Sequence, residues 1–284
     1  MIIARFVGTV LGVSLCFLPA LASAQQGLVT LPFSTTYNCA EQAQLAAGWV
    51  TCDGINADGT WTTNNGGVEQ ITSAANYPGG GGGRGQRHAI GHSMGNTEGS
   101  GGVRIEFPSQ QEIYIRYYTR WAQGLKLGGA VSPILREEKI VYLSGGYCGN
   151  ASGCHIDIQG NAFRIVVQGI PYQSGTGGWD TLFGGPDAAS DGRWIRLEFH
   201  LKNASGSTGV FRAWVDGVLT TDVSNVNYAS TGFSGFEFPS NHQFRTVGGA
   251  ATDQWQDMDD LAVRTTGPIG AIGSLAAPTN LRIQ

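Results

Sequence analysis

The chain has 284 residues, of which 44 are glycine, 10% are aromatic and only 13% are charged, with a formal net charge of −4. Glycine is about twice as frequent, and charged residues are about half as frequent, as in an average globular protein. The hydrophobic share of 41% excludes a disordered chain, and the missing basic surplus argues against a nucleic-acid partner. This composition is typical of an all-β protein with many turns.

The first 24 residues have the pattern of a secretory signal peptide. A single arginine precedes an apolar run from Phe6 to Ala22, and residues 22–24 (ASA) match a small-x-small cleavage site. A membrane anchor is the alternative, but two glycines and a proline interrupt the apolar run. We therefore expect an exported bacterial protein, extracellular or periplasmic, with no membrane span.

The rest of the chain is predicted to form one domain, residues 25–266, followed by a Gly/Ala/Pro-rich C-terminal tail, residues 267–284. A β-sandwich of this length is a single domain. Residues 79–102 contain 11 glycines in 24 positions, which favours a flexible loop. Arg87 and His88 lie in this loop and are candidates to close over a ligand.

The cysteines fit an exported protein. Four of them remain in the predicted mature chain, an even number in an oxidising compartment: Cys39, Cys52, Cys148 and Cys154. Four cysteines allow three pairings, and we favour the local one, Cys39–Cys52 and Cys148–Cys154, because each pair brackets a short turn-rich loop. A zinc site is the alternative, but gaps of 12 and 5 residues fit no zinc pattern.

Residues 112–121 (EIYIRYYTRW) predict a strand by their alternation. One face of this strand carries Tyr114, Arg116, Tyr118 and Arg120. Two guanidinium groups beside two phenols suit a ligand that bears carboxylates. An ordinary solvated strand face is the alternative.

A second polar face is predicted in residues 154–159 (CHIDIQ), where His155, Asp157 and Gln159 alternate with two isoleucines. The apolar strand 139–143 (KIVYL) precedes it. Many short strands separated by turns predict a sandwich or jelly roll.

The later strands carry a resemblance to a known group. Residues 192–219 (GRWIRLEFHLKN…GVFRAWVDGVL) contain W-x-x-x-E-x-H-x-K followed by W-x-D-G, which resembles the penultimate strands of concanavalin A-like jelly rolls. Residues 112–121, 139–143 and 255–270 (WQDMDDLAVRTTGPIG) resemble the same group, in particular the secreted heparin-lyase and alginate- or glucuronan-lyase jelly rolls. The resemblance covers residues 84–270. It implies an all-β fold, a concanavalin A-like jelly-roll β-sandwich of two antiparallel sheets, and an anionic polysaccharide as partner.

A lyase of this kind removes the proton α to a uronate carboxylate and expels the O4 substituent. The reaction requires a cation or amide for the carboxylate, a base, and an acid for the leaving oxygen. The resemblance implies that Arg, Gln, His and Tyr side chains of one sheet supply these parts. The candidate catalytic residues are His155 as base, Tyr118 as acid, Arg116 or Arg120 as the carboxylate partner, and Gln159. The candidate substrate-binding residues are Tyr114, Arg87, His88 and Lys139.

The resemblance also implies a structural calcium ion near the first and last strands. Asp257, Asp259 and Asp260 open the last predicted strand and carry the oxygen ligands that calcium prefers. A solvated acidic turn is the alternative, and no other cofactor is expected.

A non-catalytic glycan-binding or surface-adhesion module is the alternative to an enzyme. The R-S-E-L-R, Q-I-H and Y-F-K-A-G-x-Y-N-Q motifs of alginate lyases are absent from the sequence, which favours the binding module. The Arg, Tyr and His content of one predicted sheet face favours the lyase. Both functions stay open at this point, and a monomer is expected.

Overall fold

The computed structural model describes residues 29–31, 50–51, 62–64, 67–80, 83–89, 103–126, 137–143, 154–185, 188–204, 206–228, 232–238 and 255–272. The predicted signal peptide, Cys39, Cys52, Cys148 and residues 273–284 lie outside this part of the chain. Cys154 is buried and disulfide-bonded. Because its partner lies outside the described residues, the proposed pairing stays a prediction.

Most of the described chain forms β-strands. In chain order they are β1 (Val29–Leu31), β2 (Val50–Thr51), β3 (Thr62–Asn64), β4 (Gly67–Thr72), β5 (Gly85–Ala89), β6 (Val103–Gln110), β7 (Glu112–Trp121), β8 (Glu137–Tyr142), β9 (His155–Gln159), β10 (Phe163–Val167), β11 (Ile170–Gln173), β12 (Ile195–Lys202), β13 (Gly209–Val215), β14 (Val218–Val226), β15 (Phe233–Phe238) and β16 (Trp255–Arg264). A 3-10 turn spans Ser73–Ala75, and helix α1 spans Trp179–Phe183. No helix in the described ranges is long and apolar enough to cross a membrane.

The strands form two antiparallel sheets. In the nine-stranded sheet the order is β14-β13-β12-β7-β16-β5-β4-β3, and β1 pairs with β16. In the seven-stranded sheet the order is β11-β10-β9-β8-β15-β6-β2. Strands adjacent in the chain, such as β6 and β7, belong to different sheets, as in a jelly roll. The predicted all-β jelly-roll sandwich of two antiparallel sheets is thus confirmed.

The hydrophobic core lies between the two sheets. Ile113, Ile115 and Tyr117 of β7 belong to the same buried cluster as Ile156 and Ile158 of β9. Because successive side chains of a strand point to opposite sides, the residues between them face away from the core. We call the side of each sheet that faces away from this core its outer face.

Tight turns join the strands of two hairpins. Asp216 and Gly217 have φ angles of 50° and 92°, the left-handed conformation that both central residues of a type I′ turn require. This turn joins β13 to β14 with Val215 opposite Val218. The turn at residues 160–161 likewise brings β10 back beside β9.

The glycine-rich segment differs from its prediction. Residues 85–89 form strand β5 instead of a flexible loop, and residues 81–82 and 90–102 lie outside the described chain. A Cβ atom on Gly80 would lie 1.8 Å from a carboxylate oxygen of Asp260, and one on Gly85 would lie 2.0 Å from the Ala75 carbonyl oxygen. Glycine at these two positions therefore permits close packing.

Candidate functional site

Two segments cover the outer face of the nine-stranded sheet. The first, residues 265–272, follows β16 and is called the C-terminal segment. The backbone N–H groups of Ile269 and Gly270 donate to the two carboxylate oxygens of Glu198 on β12, at 2.6 and 3.1 Å. Ile269 also packs against Tyr114. The first residues of the predicted tail are thus fixed to the sheet.

The second covering segment, residues 72–80, follows β4. The ring of Tyr77 stacks on the ring of Tyr118, with 3.9 Å between the centroids. The backbone N–H of Tyr77 donates to Asp259 at 2.6 Å. This segment therefore lies over the middle of β7 and β16.

Three residues predicted to act on a polysaccharide are buried beneath these segments. Tyr114, Arg116 and Tyr118 expose only 8%, 4% and 5% of their surface. The guanidinium of Arg116 lies 5.4 Å from the centroid of the Tyr118 ring, and burial lowers the pKa of Arg116. A polysaccharide has no access to these side chains while both segments are in place.

Asp257 of β16 is the centre of a charged cluster on the same outer face. Its carboxylate accepts hydrogen bonds from Nε and Nη2 of Arg87 at 2.6 and 2.9 Å, and from Nε of Arg120 at 2.9 Å. The Arg87 guanidinium lies 4.5 Å from the centroid of the Trp255 ring, and that of Arg120 lies 4.9 Å from the Trp194 ring. Asp257 therefore binds two stacked guanidinium groups.

The predicted calcium ligands do not fit a calcium site. The carboxylate of Asp257 is bound by two cations, which would repel a metal ion. The two oxygens of Asp259 accept the backbone N–H groups of Tyr77 and Asp260. Calcium needs six to eight oxygen ligands, and the described residues contain no group of three or more His, Cys, Asp or Glu arranged to hold a metal.

His88 lies on β5, on the opposite side of the strand from Arg87. Because Arg87 points outward to Asp257, His88 points toward the interior, where it is fully buried. The prediction that His88 lies in a loop that closes over a ligand is therefore wrong.

A further cluster joins β7 to β12 at one end of the nine-stranded sheet. His200 Nε2 lies 2.8 Å from Glu112 Oε1, and Lys202 Nζ lies 3.3 Å from Glu112 Oε2. The ring of Tyr114 stacks on His200 at a centroid distance of 4.2 Å. Burial lowers the pKa of His200, although the hydrogen bond to Glu112 favours the protonated ring.

The outer face of the seven-stranded sheet combines other groups. His155 and Asp157 lie on β9, and Arg164 lies opposite Asp157 on β10. The fully buried Asp157 accepts a hydrogen bond from Arg164 Nε at 2.7 Å, and its other oxygen lies 3.1 Å from His155 Nε2. Asp157 thus binds a guanidinium and lies next to an imidazole, and its Oδ1 has no hydrogen-bond partner among the described residues.

Three more polar residues surround this arrangement. Tyr142 and Lys139 of β8 lie opposite His155 and Asp157, and the Tyr142 and His155 ring centroids are 6.1 Å apart. Gln159 follows Asp157 on the same side of β9. We call these six residues the β9 site: Lys139, Tyr142, His155, Asp157, Gln159 and Arg164.

The structure divides the predicted site residues between the two sheets. His155, Gln159 and Lys139 come together in the β9 site. The outer face of the nine-stranded sheet carries the others that face outward: Arg87, Tyr114, Arg116, Tyr118 and Arg120. The hydrophobic core separates the two faces, so the prediction that His155 acts with Tyr118 and an arginine of β7 is wrong.

Sequence reasoning gave no catalytic or binding role to three residues of the β9 site. Asp157 stands between two predicted site residues in the same alternation. Arg164 follows the turn at residues 160–161, so pairing the two strands of that hairpin would have placed it beside Asp157. Tyr142 could not be placed in this way, because the β8–β9 register shifts between Ile156 and Asp157.

No protein-family model and no curated protein sequence matches this chain. Solved structures do resemble it. An endo-β-1,4-glucuronan lyase from the fungus Trichoderma reesei is similar over 76% of this chain and 95% of its own, with 18% sequence identity and a TM-score of 0.45. A mutant of alginate lyase Aly36B in complex with an alginate tetrasaccharide is similar over 84% of this chain and 97% of its own, with 13% identity and a TM-score of 0.46.

A third solved structure is the binding domain of botulinum neurotoxin serotype C1. It is similar over 72% of this chain and 44% of its own, with 12% identity and a TM-score of 0.45. The two lyases belong to the group that the sequence resembles. At these identities and TM-scores no activity or residue role is carried over to this chain.

Proposed function

We propose that this chain is an exported protein that acts on uronate-containing polysaccharides and cleaves them by β-elimination at the β9 site. The observation that carries the proposal is the surroundings of the two ring nitrogens of His155. One of its ring nitrogens faces the Asp157 carboxylate at 3.1 Å, and the other has no hydrogen-bond partner among the described residues.

The Asp157 carboxylate favours one nitrogen of His155 as the base. Its Oδ1 lies 3.1 Å from Nε2 without hydrogen-bond geometry, and Oδ1 has no hydrogen-bond partner among the described residues. The negative charge of a carboxylate nevertheless favours a proton on the nitrogen that faces it, which leaves the lone pair of a neutral His155 on Nδ1. Nδ1 is buried and bonded to no other group in the described chain. Its lone pair therefore has no competing donor among the described residues, as a general base requires, and the proposal requires that substrate binding open a path to this nitrogen.

The remaining groups of the β9 site supply the other parts of the reaction. His155 takes the proton at C5, the electron pair forms the C4–C5 double bond, and the C4–O4 bond breaks. Lys139 and Gln159 bind the uronate carboxylate, which stabilises the charge that develops next to it. Tyr142, which stands beside His155, donates a proton to the leaving O4.

A non-catalytic glycan-binding module is the second candidate function. It is favoured by the small exposed fraction of His155, 8%, because a base must reach the proton of its substrate. In such a module Lys139, Arg164 and Gln159 bind carboxylates and hydroxyls, and no bond is cleaved.

The test is the ultraviolet absorbance of unsaturated uronates after incubation of the protein with alginate, polygalacturonate, glucuronan and heparin. We expect product from at least one polysaccharide, and a kcat/KM at least about 100-fold lower for His155→Ala. If none gives product while a gel carrying one of them retains the protein, the lyase proposal is wrong and the binding module is correct.

Two tyrosines of the seven-stranded sheet give a matched control. Tyr142→Phe removes the proposed acid and should lower kcat about 100-fold. Tyr172 of β11 packs against the core instead, so Tyr172→Phe should keep activity within about two-fold. Equal activity of the two variants would exclude Tyr142 as the acid.

A further inference from the structure

A second place on the molecule has the properties of a ligand site. It is a row of five side chains on the outer face of the nine-stranded sheet, far from the β9 site across the core. We call it the Trp–Arg row; its members are Trp255, Arg87, Asp257, Arg120 and Trp194. Arg87, Asp257 and Arg120 lie on the neighbouring strands β5, β16 and β7, so they extend over about 10 Å of the sheet.

Both guanidinium groups of the row are fixed before a ligand arrives. Asp257 holds Arg87 through two hydrogen bonds and Arg120 through one. Each guanidinium also lies over an indole ring, at 4.5 and 4.9 Å. A side chain that is already ordered loses little rotamer entropy when it binds a ligand, which favours affinity.

The row keeps unused donors and a surplus of positive charge. Both Nη2 groups also donate to the backbone carbonyl of Ala74, so the row lies at the edge of the covering segment 72–80. Nε and Nη2 make all the hydrogen bonds that Arg87 and Arg120 form in the described chain, which leaves Nη1 of each available. Their side chains are 16% and 28% exposed, whereas Asp257 is fully buried. Two cations and one carboxylate give a net charge of +1, which suits an anionic ligand.

We propose that the Trp–Arg row is a second, non-catalytic binding site for sugars that bear carboxylates. The Nη1 groups bind the sugar carboxylate. Trp255 also packs against the core and Trp194 against Tyr77, so the exposed edges of these two half-buried indoles contact the sugar. A chain with sites on both outer faces holds a polymer at two points, which raises the effective concentration at the β9 site. Only this last consequence rests on the proposed function.

The test uses the His155→Ala protein, which leaves the probe uncleaved. Tetragalacturonate is the probe, and the neutral cellotetraose is its control. Titration should shift the NMR signals of the Trp194 and Trp255 indole N–H groups with tetragalacturonate alone. The indole of Trp214, half-buried on the same outer face but outside the row, should not shift. Unchanged Trp194 and Trp255 signals, or equal shifts with cellotetraose, would overturn the proposal.

A variant tests how much one guanidinium contributes to the affinity of the row for tetragalacturonate. Arg120→Gln removes one guanidinium but keeps the Arg87–Asp257 pair, and should weaken tetragalacturonate binding at the row about ten-fold; Trp214→Phe should not change it. Unchanged affinity in Arg120→Gln would contradict the proposal. If the protein cleaves polysaccharide but the row binds nothing, this inference is wrong and the proposed function stands. If the row binds tetragalacturonate but no polysaccharide is cleaved, this inference stands and the proposed lyase activity is wrong.

Discussion

The two outer faces of the sandwich each contain a fully buried aspartate, and the two aspartates differ in their second partner. Asp257 binds two arginines, whereas Asp157 binds one arginine and lies 3.1 Å from Nε2 of His155. A guanidinium is charged at any physiological pH, but an imidazole exchanges its proton near neutrality. A buried carboxylate thus lies between two permanent charges on one face, and between one permanent charge and a titratable ring on the other.

The faces also differ in how their tyrosines and arginines are used. On the nine-stranded sheet two covering segments bury Arg116 and Tyr118, so these side chains serve packing. On the seven-stranded sheet Tyr142 and Lys139 lie beside a histidine with one nitrogen that no described residue pairs. The residue types on a strand face therefore do not show its role. The segments that bury the face and the hydrogen-bond partners of its side chains do show it.

The largest effect on stability is expected from Asp257→Ala. The variant leaves two arginines facing each other without their carboxylate, and should lower the free energy of unfolding by about 4 kcal/mol. Denaturant unfolding measures the loss. Asp222→Ala breaks an exposed pair with Arg212 and should cost less than about 1 kcal/mol. Equal losses for both aspartates would contradict a structural role for Asp257.

The matching variant on the other face, Asp157→Asn, should affect catalysis. An amide in place of the carboxylate can donate to Nε2 of His155, which moves the ring proton to Nδ1 and removes the base. We expect kcat to fall on the order of 100-fold, with KM within about three-fold because Lys139 and Gln159 still bind the substrate. Steady-state kinetics on the cleaved polysaccharide separate the two constants. A change confined to KM would show that Asp157 positions no base.

A smaller effect is expected from acidification, through His200 on the nine-stranded face. Burial lowers the pKa of His200 below its ordinary value of 6.5, so the folded protein binds this proton less readily than the unfolded chain. Its contribution to stability is present above pH 6.5 and is lost as the pH falls through the lowered pKa, by at most about 1.4 kcal/mol per pH unit. Unfolding measured between about pH 7 and pH 5 should show a flatter slope in His200→Gln. The same slope in both proteins would contradict the prediction.

Much of the fold follows from local patterns in the sequence, and part of the site does too. The predicted strand 112–121 has the bounds of β7, because a side-chain period of two is visible in the sequence. The same period of two predicts that His155 and Gln159 lie on one face of their strand. Which segments bury a sheet face, by contrast, depends on contacts between residues far apart in the sequence. The hydrogen bond between the Tyr77 backbone N–H and Asp259, for example, joins residues 182 positions apart.

The smallest effect is expected from Glu198→Gln, which tests whether the two faces act independently. The amide keeps one acceptor for the C-terminal segment but turns a donor toward the N–H group of Ile269 or Gly270, at a cost of about 1 kcal/mol. Hydrogen exchange at these two amides should become faster. Polysaccharide cleavage should stay within about two-fold, because the core separates Glu198 from the β9 site. A ten-fold loss of activity would show that the C-terminal segment is coupled to the β9 site through the core, and that the division of roles between the two faces is wrong.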